Sequence, residues 1–201
     1  MDISTGLGEK MQGFSLPRSA ELPELDFYMD QVVSLVEKKL YLLSTNEEDK
    51  FITPSMINNY VKLGIIPPPV KKRYTKEHLC YLFIICTLKS VIPIPAISRI
   101  IAAETANRSI FELYDIFCEA YENMLAQSNC AAKDIAAEGG AEAAAAKLAL
   151  FMAINASATQ LVATRALTSL PPVEETSEKE KEKKEKKEKE KKEKKEKAPK
   201  K

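Results

Sequence analysis

Residues 53–67 read Thr53-Pro54-Ser55-Met56-Ile57-Asn58-Asn59-Tyr60-Val61-Lys62-Leu63-Gly64-Ile65-Ile66-Pro67, and the fold turns on how they are read. Thr53-Pro54 is a helix start. The hydroxyl can accept from an orphan amide, and proline lacks the amide that the first helical position does not use. Gly64 is a natural stop. The helix between them, residues 54–63, is about ten residues long and marginal in isolation, so it must pack on something. On a wheel of about 100° per residue, Ser55, Asn58, Asn59 and Lys62 fall in one arc. Met56, Ile57, Tyr60, Val61 and Leu63 take the opposite side. The polar arc holds two amides, a hydroxyl and an ammonium, and no carboxylate. Such a surface suits the major groove of duplex DNA. Asn can both donate to and accept from an adenine edge, Lys reaches guanine or phosphate, and Ser suits either.

Downstream, Pro67-Pro68-Pro69 forbids helix and predicts a stiff, extended excursion over residues 65–74. The excursion ends in Lys71-Lys72-Arg73-Tyr74. This is the composition of a wing whose cations grip backbone phosphates without reading sequence. Tyr74 either packs beneath the wing or offers its hydroxyl to a phosphate. The charge distribution agrees. The chain carries a formal net charge of +1, yet residues 51–99 hold Lys62, Lys71, Lys72, Arg73, Lys76, Lys89 and Arg99 against the single acid Glu77. A locally basic face in an otherwise acidic body is the usual footprint of polyanion binding.

The remaining elements read as mainly α. Apolar spacing predicts helices over 26–43, 75–90, 96–103, 109–127 and 141–167. Thr75 caps the second of these, with Glu77 in its first turn. Pro93 and Pro95 break the chain before the third, and Gly139-Gly140 interrupts it before the last. Four segments follow: a flexible leader (1–22), a winged helix-turn-helix domain (23–103), a C-terminal helical region able to pair with a second copy (104–172), and a low-complexity tail (173–201). Within the tail, residues 174–201 hold 14 Lys and 10 Glu with no apolar face, so the tail is expected to stay disordered and solvated.

The four cysteines, Cys80, Cys86, Cys118 and Cys130, include no Cys-x-x-Cys pair, and they read as reduced, buried thiols. The first 13 residues lack a basic-then-apolar signal pattern, so a cytoplasmic protein is expected. The longest uncharged stretch, residues 148–164, is Ala-rich and carries Asn155, Ser157, Thr159 and Gln160, which argues against a membrane span.

The string Met56-Ile57-Asn58-Asn59-Tyr60-Val61-Lys62-Leu63-Gly64-Ile65-Ile66-Pro67, followed by Lys72-Arg73-Tyr74-Thr75-Lys76-Glu77-His78-Leu79, resembles an uncharacterised bacterial family of unknown function with a MerR-like winged helix-turn-helix core. In MerR-type regulators a recognition helix ends in Tyr-x-x-x-Gly-Leu/Ile-Ile/Leu-Pro. A wing follows, then Arg-Tyr or Arg-x-Tyr leads into a helix beginning Ser/Thr-x-x-Asp/His-Leu. Tyr60, Gly64, Ile65, Pro67, Arg73, Tyr74 and Leu79 match that frame. Asn58 and Asn59 depart from it, standing where MerR proteins carry an Arg ahead of the aromatic. The resemblance implies a DNA-binding regulator, with the DNA-facing set Ser55, Asn58, Asn59, Lys62, Lys71, Lys72, Arg73 and Tyr74.

Other chemistries find no constellation in the sequence. His78, the single histidine, has no partner at metal-ligand or acid/base spacing and reads as a surface or cap-adjacent residue. There is no phosphate-binding Gly loop, nucleophile elbow or metalloprotease helix. No enzyme activity, cofactor or metal is expected. The competing reading is a protein–protein interaction adaptor built on the same scaffold, favoured by the acidic character of the rest of the body.

Overall fold

The computed structural model describes residues 14–43, 50–136 and 141–171, with the side chains of 132–136 and 141 excepted. The first half of the expected leader, the acidic 44–49 loop, the Gly139-Gly140 break and the charged tail lie outside the described residues. The chain divides into a unit ending at Leu170 and a second unit starting at Pro171, of which Pro171 alone is described. The described part of the first unit is mainly helical. Its α-helices are α1 (Met29–Leu40), α2 (Pro54–Lys62), α3 (Lys76–Leu88), α4 (Ile94–Thr105), α5 (Ile110–Ala136) and α6 (Ala141–Thr168), with 3-10 turns at Ser19–Glu21 and Tyr41–Leu43.

α3 is the centre. Its run KEHLCYLFIICTL is apolar nearly all round, the signature of a helix surrounded by protein. Leu79, Cys80, Leu82, Phe83, Ile84, Ile85 and Cys86 are all buried. α1 contributes Val32, Val36 and Leu40 to this core, and α5 contributes Ile110, Leu113, Tyr114 and Cys118. The Phe83 and Tyr114 rings stack with centroids 5.8 Å apart. The core thus runs through position 103 into α5, and the expected division at 103/104 is no break in packing. α4 begins two residues earlier than its apolar spacing suggests. Pro95 falls in its first turn, where a missing amide costs nothing.

The N-terminal segment corrects the expectation of a flexible leader where it is described. Leu16 is 2 % exposed and Leu22 is buried with it. Two carboxylates of α5 hold the segment down. Glu122 accepts from Leu16 N (2.9 Å) and from both terminal nitrogens of Arg18 (3.0 and 2.6 Å). Asp115 accepts from Ser19 N (2.7 Å) and Ser19 Oγ (2.6 Å). Backbone amides that would otherwise be orphaned under the segment are therefore satisfied by side chains about a hundred residues away.

The cysteines divide. Cys80, Cys86 and Cys118 are buried and free, and burial pushes the Cys80 and Cys86 thiols up to about 12. Cys130, expected with them in the interior, is exposed on α5, beyond the stretch that packs against α3. α6 lies along α5. Its C-terminal end is tied by Arg99, whose guanidinium donates to the carbonyls of Leu167 (2.8 Å) and Leu170. Gln160 adds a bond to the Val91 carbonyl (2.8 Å). By length and composition this helix is also apolar enough to cross a membrane.

Candidate nucleic-acid interface

α2 forms as the sequence predicts. Thr53 is the N-cap, with φ −130° and ψ 159°, and its hydroxyl accepts from Met56 N at 3.3 Å. The other end is a Schellman motif. Gly64 N donates to Val61 O (3.0 Å), Ile65 N donates to Tyr60 O (3.0 Å), and Gly64 takes φ 74°. Ile65 and Tyr60, the apolar pair that accompanies this motif, are both buried. The left-handed turn sends the chain away from the helix axis and into the proline run.

The two sides of α2 differ as read, with a correction at its ends. Ile57 and Tyr60 enter the core and Val61 is half-buried. Met56 sits at the edge, its Sδ 3.8 Å from Lys89 Nζ, and Leu63 is 57 % exposed. A nine-residue helix makes about two and a half turns, and only Ile57 and Tyr60, one turn apart, face the core, so the apolar residues at its margins stay outside. On the other side, Ser55, Asn58, Asn59 and Lys62 are all exposed.

The residues expected to form a wing make a turn and no strands. The described residues contain no strand longer than an isolated bridge pair, and two antiparallel bridges, Val70↔Arg73 and Phe27↔Tyr74, hold the excursion. Lys71 and Lys72 occupy the two corner positions with φ 50° and 62°, and Arg73 N donates to Val70 O at 2.9 Å. Two successive positive φ values closed by that bond define a tight turn of the type I′ class, which normally selects Asn-Gly. Lysine in the left-handed region is strained by about 1 kcal/mol or more per residue. The turn holds both ammonium side chains exposed at its tip.

Arg73 and Tyr74 are placed differently from the lysines. The Arg73 guanidinium carbon lies 3.8 Å from the centroid of the Tyr28 ring. Tyr74 is 3 % exposed. It is removed from the DNA-facing set, because its ring packs beneath the turn and meets His78 edge-on at 5.3 Å. Paired backbone bonds lock Tyr74 to Phe27, each 2.8 Å.

Of the two places expected for His78, on the surface or beside a cap, the structure has the second: it is buried, and it acts as a cap. Its Nδ1 accepts from Thr75 N at 3.0 Å and lies 2.9 Å from Thr75 Oγ1. That bond requires the neutral ring with its proton on Nε2, an atom that is itself buried. Burial lowers the His78 pKa, outweighing Glu77, the Pro67 and Pro68 carbonyls and Asp26, all of which favour the charged form. Tyr28 was missed. It precedes the first helix, and nothing local marks it as the neighbour of residue 73.

Among the described residues no group of His, Cys, Asp and Glu has the arrangement of a metal site. No curated protein and no solved structure matches the chain. A protein-family model described as "Domain of unknown function (DUF1836)" matches residues 17–122. That span takes in the N-terminal segment, α1 to α4 and the part of α5 that packs on α3, so the chain belongs to this family of unknown function.

Proposed function

We propose that the chain is a cytoplasmic DNA-binding transcriptional regulator of MerR-like, winged helix-turn-helix type. In this reading α2 enters the major groove with Ser55, Asn58, Asn59 and Lys62, while Lys71, Lys72 and Arg73 hold the adjacent phosphates. The carrying observation is the exposed, carboxylate-free stripe on α2. The stripe belongs to a helix fixed at both ends, by the Thr53 cap and the Gly64 turn. A rigid helix presents base-reading groups more accurately than a loop does. Selection from random duplexes with the full chain tests it. A motif should be enriched, and Asn58→Ala and Asn59→Ala should relax preference at single positions by about 1–3 kcal/mol each. Absence of any salt-dependent duplex binding would overturn the reading.

One observation favours a second reading, an interaction adaptor or homodimer working through the C-terminal helices. Leu150, Phe151, Ile154, Leu161 and Val162 of α6 are all about half exposed or more, with Val162 at 68 %. Contiguous exposed apolar surface of this kind marks contact sites. If a second copy covers it, sedimentation of the full chain gives twice the monomer mass, and Ile154→Glu returns it to monomer. A monomeric parent chain removes the homodimer.

A further inference from the structure

Resting on the DNA-binding reading, we infer that Tyr28 is a positioning residue of the interface: its ring holds the Arg73 guanidinium over its face beside the Lys71–Lys72 turn, so that the guanidinium meets a backbone phosphate of duplex DNA. The geometry comes from three contacts. The Phe27–Tyr74 backbone pair fixes residues 27–28 alongside 73–74, with both bonds at 2.8 Å. The Tyr28 amide donates to Gln31 Oε1 at 2.9 Å, which anchors the start of α1. The guanidinium then sits 3.8 Å from the ring centroid.

Tyr28 is 52 % exposed, so the pair lies at the surface and not in the core. A guanidinium stacked on a ring keeps its in-plane N–H groups free, and these match a phosphate's oxygens in bidentate fashion. Among the described residues no carboxylate pairs with Arg73, although Asp26 and Asp30 flank Tyr28 in the chain. Elsewhere, carboxylate-paired cations include Arg18 with Glu122, Lys76 with Glu24 and Arg108 with Glu104. Ring stacking orders Arg73 while leaving its charge uncompensated, the condition an anionic partner needs. The sequence offers no hint of the pairing, because 45 positions separate the two residues.

The test is a thermodynamic cycle on the full chain, read by anisotropy of a labelled mixed-sequence 20-base-pair duplex over a salt series. Tyr28→Ala should weaken binding about 3- to 10-fold, and Tyr28→Phe should stay within about 2-fold of the parent. Arg73→Ala should reduce the slope of log K against log salt by about 0.9, one phosphate contact. In the Arg73→Ala background, Tyr28→Ala should cost nothing further. Equal cost of Tyr28→Ala in both backgrounds would overturn the inference, as would parent-like binding by Tyr28→Ala while Lys72→Ala is weakened. Arg73→Lys keeps the charge but loses the planar fork, and parent-like binding there overturns it too, even if Tyr28→Ala proves unfolded by circular dichroism. A parent chain that binds no duplex defeats the DNA reading itself, a result distinct from any of these.

Discussion

Seven of the described cations of this protein form two groups that are used in opposite ways. Arg18, Arg99, Lys76 and Lys89 are tied into the body. Arg18 binds Glu122, Arg99 the Leu167 and Leu170 carbonyls, Lys76 Glu24 at 2.6 Å, and Lys89 the Phe51 carbonyl. Lys71 and Lys72 stand at the tip of a strained turn, and Arg73 lies over an aromatic ring, with no carboxylate paired to any of the three among the described residues. In the first group Arg18, Arg99 and Lys89 act on stability, since they satisfy backbone and carboxylate oxygens that packing has partly desolvated, whereas Lys76 pairs with the exposed Glu24. The second group contributes little to the fold and, at Lys71 and Lys72, costs it backbone strain. Charge retained at a conformational cost is the pattern expected of a binding surface, not of a scaffold.

The sharpest way to separate the groups is to disable a body anchor and a turn residue in parallel. Asp115→Ala strips the acceptor from Ser19 N and Ser19 Oγ and leaves a half-buried amide unpaired. It should lower stability by about 2 kcal/mol in urea titrations, with the duplex salt slope unchanged. A changed slope would mean that the N-terminal segment belongs to the binding face.

The converse experiment replaces Lys71-Lys72 by Asn-Gly. These residues accept positive φ at both corners, so the variant should gain about 1 kcal/mol of stability, read as a raised urea midpoint. It should lose affinity for DNA at the same time. A variant that gains stability and still binds like the parent would break the comparison, because the lysines would then have no task that explains their strain.

The smallest effect concerns pH. The folded-state pKa of His78 is depressed, because burial disfavours the imidazolium and Nδ1 must stay unprotonated to accept from Thr75. The unfolded chain, with an ordinary histidine near 6.5, then binds the proton more readily than the folded one. The stabilisation from neutral His78 is complete above about pH 6.5 and is lost as pH falls from there through the depressed value. His78→Gln, which can keep the bond to Thr75 N, should flatten stability between about pH 7 and 5.5 in the same titrations. An unchanged pH dependence would assign the effect to other groups.

How much of this could be read in the sequence follows from how local each determinant is. The ends of α2 were legible because Thr53-Pro54 and Gly64 act within four residues of themselves. The helix over 75–90 was legible from its apolar spacing, whereas its central place depends on the helices that pack around it. The clamp on the N-terminal segment was hidden, since Glu122 and Asp115 lie about a hundred residues from the groups they bind, and a polar-looking leader gives no local periodicity. The turn type was hidden for a different reason. Lys-Lys is not the pair that a tight left-handed corner selects, so the sequence suggested an open wing where the chain forms a two-residue corner. Of the candidate interface, the α2 stripe was visible as a pattern on one helix. The Arg73 contact needed a partner from another segment, and the place of Tyr74 stayed open between packing beneath the excursion and facing a phosphate, because a proline-rich excursion does not reveal which of its residues packs beneath it.

The division among the cysteines has a practical corollary. Three thiols are enclosed, and burial raises each of their pKa values, so little thiolate forms at neutral pH. Cys130 alone of the four faces solvent, on a stretch of α5 past the end of the family match. A maleimide dye added to the native protein should therefore attach at one point, outside α2 and the lysine corner in the chain, giving a fluorescent reporter without altering a single residue.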